Sequence, residues 1–186
     1  MPTHRGIAVV HFTDLIECME ASVPILEHSP SALELIGHMI IDNCKTNAGY
    51  RHLLHYFMGD PRELLFVEFY GDSPAEVQSK LEALKADMEH RRLGYATMIT
   101  NDPVESGQWY ALREAGLGLA MAKKGDPKPL PYVEDTAVSP EQLPAYVRRF
   151  EEIVARHGTE SAYYGHASTG CLHIRPVVNL KENEGV

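Results

Sequence analysis

Hydrophobic positions in the first sixty residues predict a strand followed by helices. The run Gly6–Phe12 is apolar and β-branched, which favours a strand, and apolar residues recur at helical spacing through Ile16–Leu26. Helical spacing returns in Ser31–Cys44, and a shorter helix is predicted over Tyr50–Met58. We therefore expect residues 1–60 to form an N-terminal elaboration of one strand and several helices.

The hydrophobic pattern then repeats along the chain. A Val-Glu pair precedes a Ser-Pro pair by the same distance in both copies, with the serines at Ser73 and Ser139. Each serine is expected to cap a helix, and Glu76 and Gln142 stand where a capping box requires them. The two helices then carry matching apolar stripes, which are Val77, Leu81, Leu84 and Met88 in the first and Leu143, Val147, Phe150 and Val154 in the second.

Each predicted helix leads into a further strand, Gly94–Thr100 in the first copy and Glu160–His166 in the second. Two strand–helix–strand units result, at residues 63–100 and 131–178. This arrangement is typical of a ferredoxin-like antiparallel sheet with helices on one face. We therefore predict an α+β fold that forms a single domain over residues 1–186.

Residues 101–131 form an insert between the two units. The insert contains the only tryptophan, Trp109, a helical run and a stretch rich in glycine, lysine and proline. It is either a helix with a solvated loop or, as inserts between repeats often are, a carrier of function.

Composition and charge exclude several classes of partner. With 186 residues, of which 44% are hydrophobic, the chain can bury a core. Acidic residues outnumber basic ones by 26 to 17, so the basic footprint of a nucleic-acid or anionic-membrane binder is missing. The sequence shows no signal peptide and no run of roughly 18 apolar residues, which predicts a cytoplasmic protein without a membrane span. Its three scattered cysteines are expected to be reduced.

The end of the chain predicts a β-hairpin with two histidines on one face. Strand-like residues flank the loop Ala167–Gly170, a register that sets His166 opposite Cys171. Tyr164, His166, Cys171 and His173 then share a face, with the histidines diagonal at roughly 7 Å. Such a pair can bind one ion, for which Zn, Fe and Mn are suitable.

Other interpretations of these residues stay open. Most of the ten histidines must be surface or packed residues, and His52 with His55 form a weaker rival pair at helical spacing. Arg175 shares the face of His166 and His173 in the predicted register. Because a guanidinium binds a carboxylate bidentately, Arg175 is a candidate for binding an acid.

Three segments together resemble the C-terminal domain of FAD-linked oxidases of the D-lactate dehydrogenase, glycolate oxidase and D-2-hydroxyglutarate dehydrogenase kind. They are Trp109–Glu114, Tyr132–Val138 and Gly165–His173. Pro30–Leu35 is similar to the family's early helix, so the resemblance covers essentially the whole chain. The sequence of residues 170–176 is most similar to that of the long bacterial subgroup, which is fused to an iron–sulfur reductase segment.

The resemblance implies a cap laid over a separate FAD-binding domain, which oxidises a D-2-hydroxy acid to a 2-oxo acid by hydride transfer to flavin. It implies that His166 and His173 bind a divalent metal ion, usually zinc, and that Arg113 binds the substrate carboxylate. Lys128 and Arg175 are further cationic candidates for substrate binding. An iron–sulfur domain of the same protein and a homodimer are further candidate partners.

Several features depart from the family pattern. Many relatives have asparagine at the position of Cys171 and aspartate near that of Gly37. The Glu-His-Gly segment that normally supplies a metal ligand and the base would lie beyond Val186, and no glycine-rich FAD-binding region is present. The isolated chain is therefore predicted to bind no FAD tightly and to be inactive. The alternatives are a freestanding ferredoxin-like module that binds a small acid or metal without redox chemistry, and a structural or dimerising domain.

Overall fold

The structure, a computed structural model, describes residues 3–183. The strands are β1 (His4–Phe12), β2 (Ala32–Ile36), β3 (Glu63–Gly71), β4 (Ala96–Thr100), β5 (Lys128–Pro129), β6 (Val133–Ala137), β7 (Ser161–His166) and β8 (Cys171–Val178). The helices are α1 (Leu15–Glu20), α2 (Ser22–Leu26), α3 (His38–Thr46), α4 (Pro74–Arg91), α5 (Pro103–Glu114), α6 (Gly116–Met121) and α7 (Leu143–Arg156). Short 3₁₀ turns cover Arg51–Tyr56, Pro140–Gln142 and Ala167–Thr169. Within residues 3–183, no helix combines the length and apolar character needed to cross a membrane.

The strands join in one antiparallel sheet with the order β4-β1-β3-β2-β7-β8-β5, and β6 also pairs with β8. In the first predicted unit, β3 and β4 lie on either side of β1. In the second, β6 and β7 lie on either side of β8. Pairing between β2 and β7 connects the two halves. The predicted α+β class, with an antiparallel sheet built from two strand–helix–strand units and N-terminal elements, is confirmed.

Helices cover both faces of the sheet, whereas the sequence predicted them on one face. Ala8 and Val10 of β1 belong to a core with α1, α2, α4 and α7. Ile7 and Val9 belong to a second core, on the opposite face, with α3, α5 and α6. The unbroken apolar run of β1 explains the difference, because a strand buried on both faces does not alternate between apolar and polar residues.

The helix predicted over Ser31–Cys44, and the family's early helix within it, is wrong in its first half. Ala32–Ile36 is the strand β2, and the helix α3 begins only at His38. Gly37 separates them with extended backbone, and a Cβ there would lie 2.3 Å from the Tyr163 carbonyl oxygen. Since β2 is covered on both faces, its apolar residues have no period of two and fit a helical spacing by coincidence.

The two predicted capping boxes have different outcomes. Ser73 accepts a hydrogen bond from the Glu76 amide, and Glu76 accepts one from the Asp72 amide, so the first prediction is confirmed in outline. In the second copy, the Ser139 side chain caps no backbone amide, and a 3₁₀ turn precedes α7. The helix α7 therefore begins at Leu143, later than predicted. Pro144 then lies in its first turn, where proline is tolerated.

Candidate functional site

The hairpin of β7 and β8 carries both predicted metal ligands. Its ladder sets His166 opposite Cys171 and Tyr164 opposite His173, which is the predicted register. The imidazole rings of His166 and His173 have centroids 5.4 Å apart. His173 also packs on the Tyr164 ring at 4.7 Å between centroids. The structure therefore brings these two histidines together on one face of the sheet.

Gly170 makes this tight hairpin feasible. Its backbone has a φ of +69°, in the left-handed region, and a Cβ would lie 1.7 Å from the Val138 carbonyl oxygen. Any side chain would therefore push the turn away from the neighbouring segment. The glycine fixes the loop length and with it the register that pairs His166 with Cys171.

A carboxylate lies beside the Nδ1 atom of each histidine. Nδ1 of His166 is 3.0 and 2.9 Å from the two oxygens of Glu34. Nδ1 of His173 is 2.8 Å from Oδ1 of Asp135, which is close enough for an ion pair but lies outside hydrogen-bond geometry. Asp135 reaches this position from an irregularity in β6, where its φ is +56°. Both rings therefore turn Nδ1 towards acidic groups, as metal-binding histidines commonly do.

Arg113 approaches the same carboxylate from the covering helix α5. Its Nη2 donates to Oε1 of Glu34 at 2.7 Å. The Glu34 side chain is only 9% exposed, whereas that of Arg113 is 37% exposed. Part of the guanidinium is therefore free to meet an anion from solution while Glu34 holds the remainder.

Arg113, His166, His173 and Glu34 line one cleft of about 230 Å³. The remaining walls are largely apolar and include Leu35, Ile36, Ile40 and Leu117. Pockets for drug-sized ligands have volumes of roughly 300–1,000 Å³, so this smaller cleft suits a small organic acid. Three of the five residues predicted to form the site, Arg113, His166 and His173, therefore meet at one opening.

Lys128 and Arg175, the other two predicted site residues, lie outside the cleft lining. The Lys128 ammonium donates to the Lys123 carbonyl oxygen. Arg175 is 4% exposed, donates to Glu134 and lies over the Tyr164 ring at 5.4 Å from its centroid. Arg175 is therefore buried outside the cleft, in contact with the ring on which His173 packs.

Tyr164 stays protonated in this environment. Burial raises the pKa of its hydroxyl, although the nearby Arg175 guanidinium acts in the opposite direction. A neutral phenol beneath His173 supplies a flat packing surface without adding charge to the cleft.

Sequence reasoning missed Glu34, the residue that joins the site together. It pairs with His166 across the β2–β7 ladder and is 7% exposed. A lone carboxylate inside an apolar stretch is a detectable signal, because a buried charge requires partners. The helix predicted over Ser31–Cys44 conceals this signal, because helical spacing does not set Glu34 apart from the neighbouring apolar residues.

Within residues 3–183, His166 and His173 are the two histidines that line the cleft. Across the described part of the chain, no group of three or more His, Cys, Asp or Glu side chains is arranged to bind one. Cys171, although opposite His166, does not complete such a group.

Curated proteins are similar to this chain over nearly all of its length. The chain is 29% identical over 190 residues to a D-2-hydroxyglutarate dehydrogenase of Pseudomonas putida, covering 98% of this chain. It is 32% identical over 189 residues to a D-2-hydroxyglutarate dehydrogenase of Escherichia coli K12, covering 97% of this chain. The chain spans 19% of the length of each of these curated relatives.

The fold is also found in solved structures of low sequence identity. A 4-ethylphenol oxidase from Gulosibacter chungangensis matches with a TM-score of 0.65 and 11% identity, over 100% of this chain and 41% of its own. A p-cresol methylhydroxylase matches with a TM-score of 0.64 and 11% identity, over 98% of this chain and 40% of its own. The sequence profile described as FAD linked oxidases, C-terminal domain, matches residues 1–186. Since that match covers every residue, the chain belongs to the family of FAD linked oxidases, as their C-terminal domain.

Proposed function

We propose that this chain is the substrate-binding cap of an FAD-dependent oxidoreductase that converts a D-2-hydroxy acid to the 2-oxo acid. The observation that carries the proposal is the convergence of Arg113, His166 and His173 on one small cleft. The names of the relatives, which are 2-hydroxy-acid dehydrogenases, support the same substrate class.

Arg113 is the residue we assign to the substrate carboxylate. Guanidinium is planar and donates two parallel hydrogen bonds to a carboxylate. One nitrogen, Nη2, is held by Glu34, and the side chain is partly exposed. An acid bound there would lie in the cleft that the two histidines also line.

His166 and His173 fit the role of two ligands to a divalent metal ion. Each turns Nδ1 towards a carboxylate, which leaves Nε2 as the nitrogen available to bind the metal ion. A catalytic metal normally has at least three protein ligands, so we expect further ligands from other parts of the protein. Such an ion would polarise the hydroxyl of the substrate, lowering the barrier to loss of its proton.

FAD would be held by a different domain, because the cleft has the volume of a small acid. In the oxidation, the O–H bond breaks and its proton passes to a base that we expect outside this chain. FAD, when bound by that domain, would supply the acceptor for the hydride that leaves Cα as the carbonyl forms. The contribution of this chain is to orient the acid so that both hydrogens face their acceptors.

The test uses the complete flavoprotein polypeptide that carries this chain. Under anaerobic conditions, a panel of D- and L-2-hydroxy acids is mixed with the oxidised protein, and flavin bleaching is followed. We expect a D-acid to bleach the flavin and Arg113→Ala to slow bleaching by about 100-fold, the value of a lost charged hydrogen-bond pair. Arg91→Ala, which breaks a surface ion pair with Asp87, is the control and should bleach normally.

Absence of bleaching with every 2-hydroxy acid would refute the proposal. Binding of such an acid to the protein without flavin reduction would favour a small-acid-binding module instead. Release of metal without loss of bleaching would remove the metal from the mechanism and leave the substrate assignment in place.

A further inference from the structure

Glu34 makes contacts that exceed those of an ordinary structural ion pair. Its side chain is nearly enclosed, yet its single carboxylate makes hydrogen bonds with both Nδ1 of His166 and Nη2 of Arg113. These partners come from different parts of the fold, since His166 is on β7 and Arg113 on α5. Glu34 therefore connects a residue proposed to bind metal with one proposed to bind substrate.

The sheet fixes Glu34 in this position. Glu34 and His166 are direct partners in the β2–β7 ladder, so their side chains leave the same face. A shift of one residue would turn Glu34 to the opposite face, into the core formed with α4 and α7. Backbone pairing, rather than a flexible loop, thus sets the distance between the carboxylate and the imidazole.

The contact determines which nitrogen of His166 carries the proton. An ionised carboxylate only accepts hydrogen bonds, so the nitrogen that faces Glu34 must be the donor, Nδ1–H. The lone pair of the neutral ring is then on Nε2, away from Glu34. Neutral imidazole takes whichever tautomer its hydrogen bonds favour, and here Glu34 makes the choice.

We propose that Glu34 is a positioning residue, which holds His166 in the Nδ1–H tautomer and at the same time fixes the Arg113 guanidinium beside it. This inference rests on the proposed function for its consequence in catalysis, but its first test does not. Removing Glu34 would release both groups together, whereas removing either partner leaves the other in place.

The first test is a long-range ¹H–¹⁵N correlation spectrum of the ¹⁵N-labelled chain at alkaline pH, where imidazoles are neutral. In the unmodified chain, His166 is expected to be the Nδ1–H tautomer. Glu34→Leu removes the acceptor without a large change in volume, and His166 should revert to mainly Nε2–H. Glu34→Gln keeps one acceptor oxygen, so the Nδ1–H fraction should fall between the other two.

Glu68→Leu is the matched control. Glu68 lies on the neighbouring strand β3 and accepts a hydrogen bond from Tyr110 of α5, without contact to His166. Its replacement should leave the His166 tautomer unchanged. Thermal melting of each variant verifies folding, and the Gln variant decides the result should the Leu variant unfold. An unchanged tautomer in both Glu34 variants, or an equal shift with Glu68→Leu, overturns the inference.

The second test concerns the consequence for the site. Loss of a carboxylate that orients a metal-binding histidine typically weakens metal binding by about 10- to 100-fold. We expect Glu34→Leu to weaken zinc binding by the complete oxidase in this range and to raise KM as well as lower kcat. Should the unmodified oxidase bind no zinc, the metal role of the histidines fails, while the tautomer result still decides the role of Glu34. Unchanged zinc affinity, KM and kcat in a folded Glu34→Leu oxidase would overturn the catalytic consequence.

Discussion

Two histidine–glutamate pairs in this protein are built alike and differ in their surroundings. His38 and Glu63 lie 3.3 Å apart, and His166 and Glu34 lie 2.9 Å apart, each pair joined through Nδ1 to a buried carboxylate at a strand. Glu63 has one oxygen bonded to His38, while the other is buried without a partner in the described residues. Glu34 is shared between His166 and the additional cation Arg113.

The difference in partners has electrostatic consequences for Glu63. Burial raises the pKa of Glu63, and its contact with His38 only partly opposes this effect. The hydrogen bond to Glu63 raises the pKa of His38 in turn. The pair of His38 and Glu63, here called the enclosed pair, lies outside the lining of the cleft. The pair of His166 and Glu34 lines the cleft together with His173. A histidine–glutamate pair is therefore no evidence of a site by itself. The pair at the proposed site differs from the other in having a cation, a second histidine and an opening.

The largest effect is expected from His173→Ala in the complete oxidase. Orienting groups around a metal ligand are worth about 10- to 100-fold, so loss of the ligand itself should reduce turnover by more than about 100-fold. The measurement is dye-linked oxidation of the best hydroxy acid, together with metal content. His38→Ala is the comparison, because it removes a histidine of the enclosed pair, and it should leave kcat nearly unchanged. Equal losses in the two variants would erase the distinction drawn between the pairs.

Arg113→Lys should have the next largest effect. Lysine keeps the charge but loses the planar fork that can bind Glu34 and a carboxylate together. With about 1.5–3 kcal/mol for a hydrogen bond to a charged group, kcat/KM should fall by roughly 10- to 100-fold, mostly through KM. Arg91→Lys is the control, since Arg91 also binds two carboxylates, Asp87 and Glu27, on the surface. A normal KM in Arg113→Lys would count against Arg113 as the carboxylate anchor.

The sequence predicted the hairpin side of this site and missed Glu34, on the other side, for a physical reason. The register of His166 and His173 depends on a four-residue loop and a glycine, which are local signals. The position of Glu34 depends on pairing between β2 and β7, which are separated by about 130 residues along the chain. Spacing within a buried strand does not show which distant strand it will meet. Arg175 shows the reverse case: it lies on the predicted hairpin, but its guanidinium contacts Glu134 and Tyr164 and lies outside the cleft lining.

The smallest effect is expected from Glu63→Gln, on the pH dependence of stability. A histidine whose folded pKa is raised stabilises the fold below its unfolded pKa, near 6.5, and this stabilisation is lost as pH rises through the folded value. Glu63, whose pKa is raised by burial, acts in the same direction, because the folded state holds its proton to a higher pH. The free energy of unfolding contributed by this pair should therefore fall as pH rises towards 8, by at most about 1.4 kcal/mol per pH unit for one proton.

Glu63→Gln removes the carboxylate and should flatten this slope in urea unfolding curves measured from pH 5 to 8. His11, whose pKa burial lowers, produces a slope of opposite sign, but it is common to both proteins and cancels in the difference. Glu68→Gln serves as the control and should keep the original slope. Turnover of the complete oxidase should be nearly the same with Glu63→Gln, because the enclosed pair does not adjoin the cleft. A large loss of turnover would show that the two pairs are coupled through β2 and α3, and that enclosure does not separate a structural pair from a functional one.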